Sequence, residues 1–458
     1  MKKTNINKKI LFSSLGLLGV VAGVTAIATS CHKPKENDQN EQSLIINKAN
    51  LDTYFEYDLI NNVYFIKKIK KDFPTNKEII WDLSESPSFK RYANQSDAKL
   101  RQLASLTLSN VLTVADNAFA NATWLENIKL NKATVIGNAA FMKTTQLKSV
   151  TANAVETVEG FAFSETGLTN LTLPAVLNIQ GYAFYKTANL TNLQAVKANV
   201  LGDQAFAHAT QLTTLETANL QAIGLNVFED TPFFTALKKA ATNNLVVYKN
   251  TLLSAYEASG DVVLDNVELM APQSFANANV VSVAMKQLKA VPNEAFINNQ
   301  TLTTVNFDNV IEVGYNAFKN NTALNDVRLP KVTKINASAF ENNTALKDIK
   351  LPELLELGAS AFKGSTKITT VVLPKVQIIG FYAFSNVASL NKITAPKVEK
   401  IGEFAFENCD LLSYQGATFP PVITGEIFTA IVQENKAFPE PKEEDEHEHA
   451  AAQETNNK

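Results

Sequence analysis

Phenylalanine recurs at positions 119, 141, 163, 184, 206 and 228, then at 275, 296, 318, 340, 362, 384 and 406, so that every step but one of 47 is 21 or 22 residues. A period of this length marks a repeat architecture, in which each unit is too small to bury its own apolar face and must stack on its neighbours. Everything else in the chain is read against that period.

Residues 324–345 show what one unit contains. Leu324, Val327 and Leu329 alternate with Asp326 and Arg328, the pattern of a short half-buried strand. Pro330 follows and ends it, as Pro174, Pro352, Pro374 and Pro396 do in other units, because proline supplies no ladder donor. Val332 and Ile335 return the chain toward the interior, and Phe340 closes the unit. Ile-Gly steps at 136–137, 379–380 and 401–402 are expected to permit the bend. Burying each phenylalanine contributes roughly 2 to 3 kcal/mol, so the rings are core and mark no cofactor site.

The run Leu-x-x-Val-x-Leu-Pro-x-Val-x-x-Ile-x-x-x-Ala-Phe resembles the BspA-like branch of leucine-rich repeats, found in bacterial surface proteins, over about 103–412. The resemblance implies a repeat solenoid, a leucine-rich-repeat-like parallel β array of about 13 rungs with short strands and irregular or short helical returns. Cys409 stands three residues after Phe406, where that family often carries cysteine, and Asn321 and Asn343 take the same place in other units. A buried structural thiol is expected there.

The repeats fall into two blocks, 103–234 and 259–412, separated by 235–258. Within that interval, residues 245–253 read as two short strands around Lys249-Asn250, either a binding loop or a tolerated bulge packed by Phe233 and Phe234. Residues 43–102 lack the repeat but are rich in aromatics. They read as an N-terminal cap, with a small binding domain as the alternative. A C-terminal cap is expected over 413–438. Residues 439–458 form an acidic tail, disordered by composition, in which His447 and His449 are weak metal-ligand candidates.

At the N-terminus, Lys2, Lys3, Lys8 and Lys9 precede an apolar run over 10–28, as in an export signal or an uncleaved anchor. The sequence Ala28-Thr29-Ser30-Cys31 resembles a bacterial lipoprotein signal of the mycoplasma type, with Ala28 where that family usually has a branched residue. The resemblance implies removal of 1–30, lipidation of Cys31 and a place on the extracellular face of the cell membrane. Residues 31–42 carry no large apolar side chain and read as a flexible tether.

The net charge is −3, and −7 without the four N-terminal lysines, so a nucleic-acid partner is not expected. With only 2 Cys and 4 His, neither a disulfide scaffold nor a metal centre is indicated. No phosphate-binding glycine loop or nucleophile elbow occurs, and no cofactor or enzymatic activity is expected. His208 reads as a surface turn residue. The outward strand positions form two columns of mostly small or polar residues with no Trp or Tyr and one Arg. In them Asp326, Arg328, Asp348 and Lys350 are the binding candidates, with mutual charge compensation on adjacent rungs as the alternative explanation. Tyr182, Tyr185, Tyr315, Phe381 and Tyr382 lie beside the Ala-Phe turns, where packing on the next rung is the expected role. The expected partner is a host or other extracellular protein or glycan; a coat protein without a ligand is the competing class.

Overall fold

The computed structural model describes residues 43–70, 78–92 and 98–438. The export signal, Cys31, the tether and the acidic tail lie outside the described residues.

Each repeat makes one coil of a parallel β-solenoid. A three-residue strand such as Asp348–Lys350 is followed by a two-residue strand such as Glu356–Leu357, and each pairs in parallel with its equivalent in the next coil. Ile349 lies opposite Val371 and Leu357 opposite Ile379. Residues of the first strand alternate exposed, buried, exposed, which is the period-two pattern seen in the sequence.

Among the described residues, sixteen strands of the first kind run from Ser43–Ile46 to Ala417–Thr418. Thirteen belong to units ending in phenylalanine. The other three, Ser43–Ile46, Glu78–Trp81 and Ala417–Thr418, extend the same ladders into the ends of the array, where the period no longer reports them. At the start, Phe89 stacks on Phe119 at 5.8 Å. At the far end the helix Gly425–Val432, capped by Thr424, lays buried Phe428 and Ile431 across the last coil.

The phenylalanines form two columns. Successive ring centroids are 5.3 to 5.8 Å apart from Phe119 to Phe228. They are 4.7 to 5.6 Å apart from Phe275 to Phe406, and in both columns neighbouring planes lie within 14°. The coil spacing thus holds the rings in parallel stacks.

Around each ring the chain turns in one repeated way. The residues two before and two after the phenylalanine have positive φ, for example Asn117 and Asn121, or Asn316 and Asn320. The bend lies here and not at the Ile-Gly steps, which corrects the sequence expectation. Gly137 and Gly380 have ordinary φ, but a Cβ on either would come within 2.6 Å of the preceding coil's backbone. Glycine at that place lets coils approach.

Backbone donors in the turn alternate between two uses. Ala118, Ala120 and Ala122 close local turns onto residues three earlier, at 3.0 to 3.2 Å. Asn117, Phe119 and Asn121 donate instead to Asn138, Ala140 and Met142 of the next coil, at 2.7 to 2.9 Å. Every phenylalanine turn from Phe119 to Phe206, and from Phe275 to Phe384, repeats the second set. Stacking therefore satisfies the turn as well as the strands.

The segment after Phe228 contains more than a hairpin. Thr231 accepts a hydrogen bond from the Phe234 N–H, and with Pro232 in its first turn a helix runs over Pro232–Ala240. Val246–Tyr248 and Thr251–Ser254 then pair antiparallel, with Lys249 at positive φ between them. The second of these strands also pairs in parallel with Leu269–Met270. The Ala255 N–H donates to Ser274 O at 2.6 Å, as a phenylalanine N–H does elsewhere, so buried Ala255 stands where a ring would be. Phe233 and Tyr248 close the free face of Phe228 edge-on, at 5.2 and 6.3 Å. The apolar core accordingly divides here into one part ending at Leu253 and another beginning at Leu252.

Candidate ligand-binding surfaces

The first candidate surface is the outward side of the strands. Asp326, Arg328, Asp348 and Lys350 are all exposed. The ladder does not bridge them: Asp326–Arg328 pairs only with Thr304–Asn306, and Asp348–Lys350 only with Thr370–Val372. Arg328 Nε instead lies 3.4 Å from Asp308 Oδ1, and Asp348 accepts a hydrogen bond from Thr369 Oγ1 at 3.3 Å. Among the described residues no ion pair reaches Asp326, Asp348 or Lys350. Mutual compensation of the four charges is thereby corrected: Arg328 pairs with Asp308, and among the described residues no ion pair joins any two of the four.

Two other sequence candidates are absorbed by the fold. The Cys409 thiol is buried, donates to Phe384 O at 3.1 Å, and is pushed up to about 12 by that burial. Such a thiol is unreactive at neutral pH. His208 sits at the positive-φ turn position, edge-on to Tyr185 at 5.4 Å, with Nδ1 2.9 Å from Asp230 Oδ2.

The aromatic candidates divide. Tyr182 stacks on Phe161 at 4.7 Å and Tyr382 on Phe404 at 5.0 Å, each on an adjacent coil. Tyr185 packs edge-on to Tyr182. Tyr315 and Phe381 remain exposed. Among the described residues no group of three or more His, Cys, Asp or Glu side chains is placed to hold a metal ion, and no helix is long and apolar enough to cross a membrane.

A second surface lies beside the 235–258 interval, which the sequence marks as a binding loop or a tolerated bulge. Between the turns of Phe228 and Phe275 lies a cleft of about 460 Å³, lined on one side by Asn226 to Asp230 and on the other by Ala271 to Asn277. Lys238 of the helix and Tyr256 of the hairpin stand at its margin. The inter-coil turn ladder stops at this point. Among the described residues the N–H groups of Asn226, Phe228 and Asp230 have no acceptor, and the carbonyls of Pro272 and Ala276 have no donor. Two signals were available: the single 47-residue step, and Ser274 at a place where eleven of the thirteen units have alanine before phenylalanine.

The repeat match is specific. A family model described as BspA type leucine rich repeat region (6 copies) matches residues 112–238, 268–376 and 355–430. This chain belongs to that family. The matched segments skip the hairpin and resume beyond it. Members are typically surface-associated, and repeat solenoids of this kind generally serve as non-enzymatic binding scaffolds.

Solved structures similar to the chain include leucine-rich repeat proteins from Bacteroides ovatus and Eubacterium ventriosum. Each is 18% identical; they cover 75% and 78% of this chain and 94% of their own, with TM-scores of 0.33 and 0.39. A leucine rich cell surface protein from Faecalibacterium prausnitzii is 16% identical, over 83% of this chain and 96% of that one, with a TM-score of 0.29. No curated protein matches.

Proposed function

We propose that this protein is a surface-exposed recognition module, held at the extracellular face of the cell membrane by lipid on Cys31. It binds a host or other extracellular protein or glycan along the outward strand face, with Asp326, Arg328, Asp348 and Lys350 at the contact, and it performs no catalysis. The observation that supports this reading best is the interrupted ladder at these strands. There Asp326, Asp348 and Lys350 are exposed and, among the described residues, have no ion-pair partner. A charged group held without a partner is available to a ligand at small desolvation cost. Many weak copies on one cell surface would add avidity.

Binding of the full chain to immobilised matrix proteins and glycans tests it. Saturable binding that falls roughly tenfold when all four residues become alanine supports recognition. Binding absent across the panel favours a coat protein without a ligand, a reading to which the lack of Trp and Tyr in the strand columns lends weight. The anchor has its own test. If Cys31 is acylated, thiol labelling of the chain extracted from membranes gives no adduct natively and one, at Cys409, after unfolding. Two adducts after unfolding count against acylation.

A further inference from the structure

The cleft at the break in the array is built differently from the strand face, and it carries an inference independent of the reading above. We propose that it binds a peptide segment of a partner protein, recognised mainly through the peptide backbone.

On the Phe228 side three N–H groups, at Asn226, Phe228 and Asp230, repeat the set that in other turns donates to the next coil. Here the next turn is the shortened one at Ala255, and it receives none of them. On the Phe275 side the carbonyls of Pro272 and Ala276 repeat the set that elsewhere accepts from the previous coil, and they too are unpaired among the described residues. The Ser274 carbonyl is already taken by Ala255. The Ser274 hydroxyl is not: the residue is 3% exposed, lines the cleft, and among the described residues its Oγ has no hydrogen-bond partner. A buried hydroxyl without a partner is costly, and alanine at this place is what nearly every other unit carries.

A chain that offers acceptors to one wall and donors to the other satisfies both. Peptide backbone has this property, and a ladder edge is how proteins commonly capture it. A row of N–H groups also suits a small anion. Lys238 is the one cation among the lining residues, and Glu229 and Asp230 on the same wall with carbonyl oxygens on the opposite one outnumber it and disfavour that occupant. Glu229 makes no ion pair among the described residues, so a Lys or Arg in the peptide has a counter-charge at the wall. The wall from Asn226 to Asp230 matches a bound stretch of about five residues.

The repeat itself supplies variants that the fold tolerates. The position two before phenylalanine takes an aromatic at Phe161, Tyr182, Tyr382 and Phe404, so Gln273→Tyr obstructs the cleft without a new backbone demand. Ser274→Ala restores the residue usual in the repeat. A phage-displayed library of random heptapeptides is panned on the full chain, and the enriched sequences are made as free peptides and titrated by fluorescence anisotropy. The expected result is enrichment of peptides with a basic residue. Their affinity falls at least tenfold in Gln273→Tyr and two- to tenfold in Ser274→Ala, and does not change when Asp326 and Arg328 become alanine. Three results would overturn the assignment: no enrichment, peptides indifferent to Gln273→Tyr, or inorganic phosphate slowing exchange of the Asn226, Phe228 and Asp230 amides where peptide does not. None of these bears on the strand face, whose ligand is lost or kept with Asp326, Arg328, Asp348 and Lys350.

Discussion

The two blocks of the array make the same turn with different side chains. Two residues after phenylalanine, where φ is positive, the second block has Asn277, Asn298, Asn320, Asn342, Gly364, Asn386 and Asn408. The first has Asn121, Lys143, Glu165, Lys186, His208 and Asp230. Glycine enters the left-handed region without a Cβ, and asparagine offsets its Cβ–carbonyl contact through its short polar side chain, whereas Lys and Glu meet that contact without compensation.

The consequences differ along each column. In the second block the asparagines form amide ladders: Asn320 Nδ2 donates to Asn298 Oδ1 at 2.9 Å, and Asn342 Nδ2 to Asn320 Oδ1 at 3.0 Å. In the first block side chains pair across coils instead: Lys143 forms an ion pair with Glu165, and His208 Nδ1 lies 2.9 Å from Asp230 Oδ2. One residue further on, the second block buries Asn321 and Asn343, whose Oδ1 atoms accept the N–H of the preceding coil at 2.7 and 2.9 Å. The first block buries Thr144 and Thr187, whose hydroxyls donate to Phe119 and Phe163 carbonyls at 2.9 and 2.8 Å. The turn is therefore set by the stacking of coils, and the side chains modulate its cost.

The largest effect should not distinguish the blocks. Phe163→Ala and Phe318→Ala each remove a fully buried ring and should cost about 3 to 5 kcal/mol, read from urea unfolding followed by hydrogen exchange within that block. A large inequality would mean that the ring columns do not bear equal weight. The next effect should separate them. Asn343→Ala strips the acceptor from the buried Asn321 N–H and should cost about 1 to 2 kcal/mol. Thr187→Ala should cost only about 0.5 kcal/mol, because the Phe163 carbonyl keeps a second donor in the Thr166 hydroxyl.

Exchanging turn residues sharpens the contrast further. Asn320→Lys should destabilise by about 1 kcal/mol through left-handed strain. Lys186→Asn should stabilise by about 0.5 kcal/mol, since relief of that strain is partly offset by losing its contact with the Tyr185 ring. Thermal unfolding of the two variants checks the sign.

The smallest effect concerns pH where the N-terminal strands meet the first block. Hydrogen bonds from Thr107 and then Lys129 hold the Glu78 carboxyl below its ordinary value. Its contribution should be complete above the ordinary carboxylate range and be lost as pH falls through the depressed folded value. A Glu78→Gln chain should lack this part of the acid dependence in a pH series of melting temperatures.

Much of this fold was legible because each coil repeats one strict pattern. Phe119 to Phe406, Pro330 and the alternation around Val327 report the core and the strands directly. The hairpin was legible as two strands, but not as part of the ladder, since Ala255 in the place of a ring leaves no periodic mark. The helix Pro232–Ala240 was missed although Thr231-Pro232 is a helix start. Asn298, Asn320 and Asn342 recur with the period, but nothing in the sequence alone marks their positive φ, which follows from stacking and not from local composition. The strand-face charges were legible, whereas the ladder break between their strands was not. Unpaired backbone groups in the cleft have no sequence signature beyond Ser274.

Residue-resolved hydrogen exchange of the full chain tests most directly whether coils are joined through alternate turn amides. The N–H groups of Phe206 and Phe275 should be strongly protected, and that of Phe228, equally buried among rings but without an acceptor, should exchange markedly faster. Equal protection at all three, or fast exchange at Phe206 and Phe275 as well, would contradict it.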